Sequence, residues 1–236
     1  MGNAVRLDSL EKSESPLRVS LFDDIAVSGI GLVFEQQAWN DGFKLIAGLD
    51  EVGRGCIAGP VVAAACILDS SKPLPEGLND SKKVTESNRD EIAAQLKENC
   101  IAYSIGQIEA DEIDRINILE ATKQAMLNAI ATLSPSPDFL LIDALYLKRS
   151  PLPQRSIIKG DSISASIAAA SILAKTYRDD LMKAYDAEFP QYGFAAHKGY
   201  GCSSHYDAIR EHGPCPLHRM SFKGVVEPNI DNNGLF

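Results

Sequence analysis

Hydrophobic and polar positions change period repeatedly along the chain. Residues 45–50, 57–68, 101–106 and 139–143 are short apolar runs rich in β-formers, which predict strands. Between and after them, apolar residues recur at helical spacing over roughly 85–99, 109–132, 162–187 and 203–212. In the second helical pattern Ile118, Ala121, Ala125, Met126, Ala129, Ile130 and Leu133 share a face, and Ser134-Pro135-Ser136-Pro137 stops it before the next strand. The third carries Ile167, Ala170, Ala174, Leu181 and Met182 on one side, and its alanine-rich middle suits close packing on a sheet. Alternating strands and helices predict an α/β fold. There is no internal repeat and no low-complexity segment.

Composition narrows the class. A chain of 236 residues with 45% hydrophobic content can bury one full core, so a single globular unit is expected. Residues 1–40 read as an N-terminal extension opening with a polar, mobile leader of sixteen residues, and 224–236 as a short tail. No apolar run approaches the ~20 residues that cross a bilayer, and the leader lacks a signal-peptide core. Five scattered cysteines, an odd number, fit a reducing compartment, so a cytoplasmic monomer is expected. The net charge of −9 argues against a nucleic-acid partner unless local charge overrides it.

Acids stand where elements begin and end. The first strand closes on Asp50 and Glu51, the run at 139–143 closes on Asp143, and the third helix opens at Lys159-Gly160-Asp161. Singly, these are solvated turn residues or, for Asp161, a helix N-cap. Their recurrence at the ends of apolar elements favours a gathered set, because sites in open α/β sheets form there. Successive strand side chains face opposite ways, so Asp50 and Glu51 converge only if the strand ends or bends, as Gly53 and Gly55 permit. Gathered carboxylates repel unless hard cations lie between them, and all-oxygen ligands suit Mg²⁺ or Mn²⁺. Two such ions ~3.5–4 Å apart can hydrolyse a phosphodiester without a serine or cysteine nucleophile. Acids committed to ions no longer oppose a polyanion, which meets the charge objection.

The segments DEVGRG at 50–55, AGPVVAAA at 58–65, NDSKK at 79–83, LLID at 140–143, KGDSISASIAAASILAKTYRD at 159–179, HKGYG at 197–201 and HRMSF at 218–222, in that order, resemble ribonuclease HII. The resemblance implies a ribonuclease-H-like fold over residues 41–223, a mixed five-stranded sheet flanked by helices, with a small helical region from about 189. It further implies a divalent-metal-dependent endoribonuclease. Such an enzyme hydrolyses the ribonucleotide-containing strand of RNA–DNA hybrids and nicks 5′ of single ribonucleotides in duplex DNA, leaving a 3′-OH and a 5′-phosphate, in ribonucleotide excision repair. By the same resemblance Asp50, Glu51, Asp143 and Asp161 are the catalytic acids that hold two Mg²⁺ or Mn²⁺ ions. Gly53, Arg54 and Gly55 match a motif that reads the ribose 2′-OH through backbone atoms. Tyr200 matches a tyrosine that packs on the deoxyribose at the RNA–DNA junction. Asn79, Ser81, Lys82, Ser171 and Lys175 are expected to contact the substrate backbone. Val52 and Ala144 stand where alanine and glycine are frequent in the family. The segment before residue 45 is too short for the extra domain of ribonuclease HIII, and the short tail leaves a sliding-clamp partner open.

All four histidines lie between 197 and 218, interleaved with Cys202 and Cys215. The spacings Cys202-x-x-His205 and His212-x-x-Cys215 admit a zinc site, but the helical residues between them favour a positive, polar surface built from His197, Lys198, Arg219 and Lys223. Two alternatives remain at this point: a related acidic-site nuclease such as a junction resolvase or transposase-type enzyme, which would cut all-DNA substrates, and a catalytically silent binder of hybrid duplex.

Overall fold

In the computed structural model, which describes residues 29–226, the apolar runs pair into one mixed five-stranded sheet. Its strands are β1 (Ile46–Val52), β2 (Val61–Ile67), β3 (Ala102–Ile108), β4 (Phe139–Asp143) and β5 (Gln154–Ile157), in the spatial order β3-β2-β1-β4-β5. β1, β2 and β3 form an antiparallel meander, while β4 lies parallel to both β1 and β5. The helices are α1 (Val33–Asn40), α2 (Glu86–Asn99), α3 (Ala110–Ile116), α4 (Ile118–Thr132), α5 (Ala165–Glu188), α6 (Phe194–His197) and α7 (Ser203–His212).

The period-2 alternation of β2 sets the layers. Val61, Ala63, Ala65 and Ile67 pack with Ala121, Ala125, Met126 and Ala129 of α4, whereas Val62, Ala64 and Cys66 pack with α2 and α5. A strand buried on both faces has no polar positions, which is why it reads as an unbroken apolar run. Small residues bring α5 onto β1: a Cβ on Gly48 would sit 2.1 Å from the backbone carbon of Ser166. The alanine-rich helix thus lies against the strand that carries Asp50 and Glu51. Beyond the sheet, α6, α7 and the neighbouring loops close on their own cluster of Ile57, Met182, Tyr192, Phe194 and Ile209, the small helical region expected.

The elements depart from expectation in four places. The pattern over 109–132 is two helices, because Asn117 takes φ 68° and its side chain accepts from the amides of Leu119 and Glu120 as the N-cap of α4. The long helix does not open at Asp161: its N-cap is Ser164, and Asp161 sits in the preceding 3-10 turn, Gly160–Ser162. β5 is a short, polar edge strand. α1, inside the stretch read as an extension, packs Phe34 and Ala38 against Leu141 and Ile167. The leader and most of the tail lie outside the described residues; Val225 is buried.

Candidate active site

β1 does not end at its acids. Asp50 and Glu51 pair with Ala64 and Ala63 of β2, so the ladder runs through them. The other edge opens instead: pairing of β1 with β4 stops at Leu49 and Ile142, and the next residues, Asp50 and Asp143, flank the crevice where the strands part. This is the strand-end position where parallel neighbours create room for a site. Asp50 is 4% exposed and Asp161 7%, while Glu51 and Asp143 are half-buried.

Each acid is held by its own element. Asp50 Oδ1 accepts from the Glu51 amide at 2.8 Å, and the nearby Ser171 hydroxyl on α5 favours the charged form of the same carboxylate. Asp143 Oδ1 accepts from the Gly160 amide at 2.7 Å, which ties the end of β4 to the turn that presents Asp161. Glu51 Oε1 accepts from Arg54 Nη1 at 3.0 Å, but its buried Oε2 has no partner.

The electrostatics follow from this crowding. Burial raises Asp50 well above the usual carboxylate range, and the charges of Glu51 and Asp143 push it further. Burial likewise raises Glu51 against the pull of Arg54, and raises Asp143 with help from Asp161. Lys82 answers them: burial opposes its charge, but Asp80, Asp161 and Asp50 outweigh burial and hold its ammonium above the ordinary lysine value. Its Nζ lies 3.4 Å from Asp161 Oδ2 and 3.8 Å from Asp80 Oδ1.

Among the described residues, no three carboxylate, imidazole or thiol groups are already gathered closely enough to ligate an ion. Arg54 pairs with Glu51, and Lys82 with Asp161. The donor set nevertheless fits a hard divalent cation: it is all carboxylate oxygen, its members destabilise one another as anions, and Glu51 Oε2 is a buried acceptor lacking a donor.

The remaining expected residues separate into two groups. Arg54, Gly55, Asn79, Lys82 and Tyr200 are exposed around the crevice or the loops beside it. Ser81 and Ser171, expected at the substrate backbone, are 4% and 3% exposed, and their hydroxyls bond each other at 2.9 Å beneath Asp50. Lys175 is also drawn inward, its Nζ 2.7 Å from Asp179 Oδ1. The positive surface expected from Arg219 is corrected too: Arg219 is fully buried, as is His205, and His218 is nearly so.

Three residues escaped the sequence reading. Asp80 caps the turn Ser81–Lys83 and holds Lys82 and Lys83 near the acids, a role its place in Asn79-Asp80-Ser81 signals. Glu35 is buried on α1, and its Oε1 accepts from the Ser164 hydroxyl and from the Ser166 amide and hydroxyl at the start of α5. Arg178 is buried in mid-helix with no sequence signal beyond its break in the apolar stripe.

Comparison with known proteins places the chain. The family model described as ribonuclease HII matches residues 47–225. The chain is 54% identical over 197 residues to the ribonuclease HII of Ruminiclostridium cellulolyticum, covering 83% of this chain and 77% of that one. It is 56% identical over 194 residues to that of Chlamydia caviae, covering 82% and 91%. Among solved structures, the ribonuclease HII of Archaeoglobus fulgidus, determined in complex with PCNA, shares the fold with a TM-score of 0.65 at 24% identity, covering 80% of this chain and 99% of that one. A Bst ribonuclease HIII, determined in complex with Mn²⁺, shares it with a TM-score of 0.58 at 19% identity, covering 77% and 68%. The crevice of acids therefore lies in a fold and a sequence of one kind: the chain belongs to the ribonuclease HII family, endoribonucleases that act on RNA–DNA hybrids.

Proposed function

We propose that the chain nicks duplex DNA on the 5′ side of single embedded ribonucleotides, as well as cutting longer hybrids, and leaves a 3′-OH and a 5′-phosphate. Its cellular task on this reading is ribonucleotide excision repair. The observation that carries it is the crevice itself: Asp50 and Asp143 stand just past the last β1–β4 pair, the Gly160 amide ties Asp143 to the turn that holds Asp161, and Gly53 turns the chain after the first two acids at φ +90°.

Asp50, Glu51, Asp143 and Asp161 are the residues that would hold two Mg²⁺ or Mn²⁺ ions. Bound there, divalent ions supply a water of lowered pKa and charge to stabilise the leaving oxygen. The chain's part is to orient. The Glu51 amide holds Asp50 and the Gly160 amide holds Asp143, so the carboxylates are oriented before substrate arrives. Exposed Gly55 has nothing within 4 Å of its Cβ position, which leaves its backbone open to a ribose hydroxyl. Tyr200, 44% exposed, offers a ring face to a sugar that lacks one. Exposed Lys82 and Asn79 suit phosphate contacts.

The test is a duplex DNA with one ribonucleotide, offered with and without divalent ions. The reading expects a single ion-dependent nick 5′ of the ribonucleotide and an intact all-DNA control. Cutting of the control would favour a resolvase-like or transposase-like enzyme instead.

A further inference from the structure

Two arginines are buried completely beside one another under the ribose-reading loops, and neither forms an ion pair among the described residues. Their hydrogen-bond partners are backbone carbonyls, and Arg219 also lies over the Phe222 ring. Arg178, on α5, donates from Nε to Pro60 O at 2.9 Å, from Nη2 to Ala58 O at 3.0 Å and from Nη1 to Lys198 O at 2.8 Å. Arg219 donates from Nε and Nη2 to Gly59 O at 3.0 and 2.9 Å, and from Nη1 to Arg54 O at 3.1 Å. One guanidinium therefore ties the segment after Gly53-Arg54-Gly55 to the loop that carries Tyr200. The other ties that segment back to Arg54 itself.

The two loops also touch directly. Ile57 donates its amide to Gly199 O at 2.9 Å, Cys56 bridges to Tyr200, and a Cβ on Gly199 would sit 2.4 Å from Ala58 O. A Cβ on Gly53 would meet Arg178 Nε at 2.4 Å, so the turn at the motif is shaped around that side chain.

Stability alone is a poor reason for this arrangement. Burial, with the charge of Arg178 beside it, lowers Arg219 to about 10, and buried charges of this kind are often replaced by apolar groups without loss. What a guanidinium does that an apolar group cannot is to hold several carbonyls in a fixed plane. Asp114, whose charge reaches Arg219, accepts instead from the amides of Met220 and Ser221.

We propose that Arg178 and Arg219 are positioning residues for ribose recognition, fixing the distance between the Gly-Arg-Gly backbone and the Tyr200 ring so that both engage one nucleotide step. This rests on the reading of Gly53–Gly55 and Tyr200 given above. A lone ribonucleotide offers one register, so a loosened frame should harm it more than a long hybrid, where neighbouring riboses offer others.

The experiment compares kcat/KM on a single-ribonucleotide duplex and on a long hybrid for Arg178→Lys, Tyr200→Ala and the double variant, with thermal unfolding to verify folding. Lysine keeps the charge and loses the fork. Arg178→Lys is expected to lower the single-to-long ratio about tenfold, and the double variant to fall no further than Tyr200→Ala alone. Equal losses on both substrates, or additive losses in the double variant, would overturn the proposal while leaving the Tyr200 reading intact. A Tyr200→Ala protein with an unchanged ratio would remove the reading, and the proposal with it. Arg219→Lys tests the same frame from the motif side, and failure of both lysine variants to fold would assign the arginines to stability and overturn the proposal.

Discussion

Lys82 places its ammonium 3.4 Å from Asp161 Oδ2, within the field of carboxylates that also reaches it from Asp80 and Asp50. The chain thus supplies a cation of its own where the acids repel one another. Because the Lys82 side chain is mostly exposed, replacing it with methionine should destabilise the ion-free protein only slightly, by about 0.2–1 kcal/mol. A divalent ion then relieves more repulsion in the variant than in the parent. Scanning calorimetry with Mg²⁺ and with chelator should show a wider gap in Tm for Lys82→Met, and an unchanged gap contradicts this role.

Gly53 and Gly55 make opposite predictions. Gly53 has φ +90° and its Cβ position is filled by Arg178, so Gly53→Ala should cost about 1–3 kcal/mol in denaturant unfolding. Gly55 has open space, and Gly55→Ala should leave stability within about 0.5 kcal/mol while lowering cleavage, because only the bound sugar would meet the new methyl. An active Gly55→Ala enzyme would show that the substrate does not approach there.

Ser171 is hydrogen-bonded to the buried Ser81 and lies near enough to Asp50 to favour its charged form. Its removal should therefore act on the chemistry and not on substrate capture. Ser171→Ala is expected to lower kcat about tenfold with KM nearly unchanged. A rise in KM at constant kcat would instead place Ser171 against the substrate, as its sequence position suggested.

His205 and His218 hold a neutral pair. His205 Nδ1 lies 2.9 Å from Tyr200 O and must donate to it, leaving Nε2 as an acceptor; His218 Nδ1 accepts from the Cys215 amide at 2.9 Å, so its Nε2 donates to His205 across 3.1 Å. Burial pushes His205 down to about 4 and lowers His218 as well. The unfolded chain takes up protons that the folded pair refuses, so this contribution is whole above pH 6.5 and is lost as pH falls toward about 4. Urea midpoints should decline across that window by an amount on the order of 3 kcal/mol, and His205→Gln should flatten the decline. Parallel pH profiles for the two proteins would contradict it.

Much of this was legible in the chain because burial leaves a period. The two-sided burial of β2 and the small-residue face of α5 are written in Val61–Ile67 and Ala165–Ala174, and Asp143 closes β4 where its apolar run ends. What was not legible depends on contacts between distant residues. β5 is four residues of mixed polarity after two prolines, and only its pairing with Leu140–Asp143 makes it a strand. The break at Asn117 had a signal, Asn117-x-x-Glu120, but the apolar stripe running across it masked the cap. Ser81 and Ser171 read as substrate-backbone contacts and Arg219 as part of a positive surface, and only the fold turns their hydroxyls and guanidinium inward.

The account depends most on the four acids acting together on divalent ions, and Asp143→Asn tests that directly. The measurement is calorimetric titration of the folded variant with Mn²⁺ alongside cleavage of a duplex bearing one ribonucleotide. Loss of one anionic ligand should weaken ion binding and lower cleavage by a factor on the order of 10³, with duplex affinity retained. Wild-type turnover by Asp143→Asn, or unaltered Mn²⁺ binding, would contradict it.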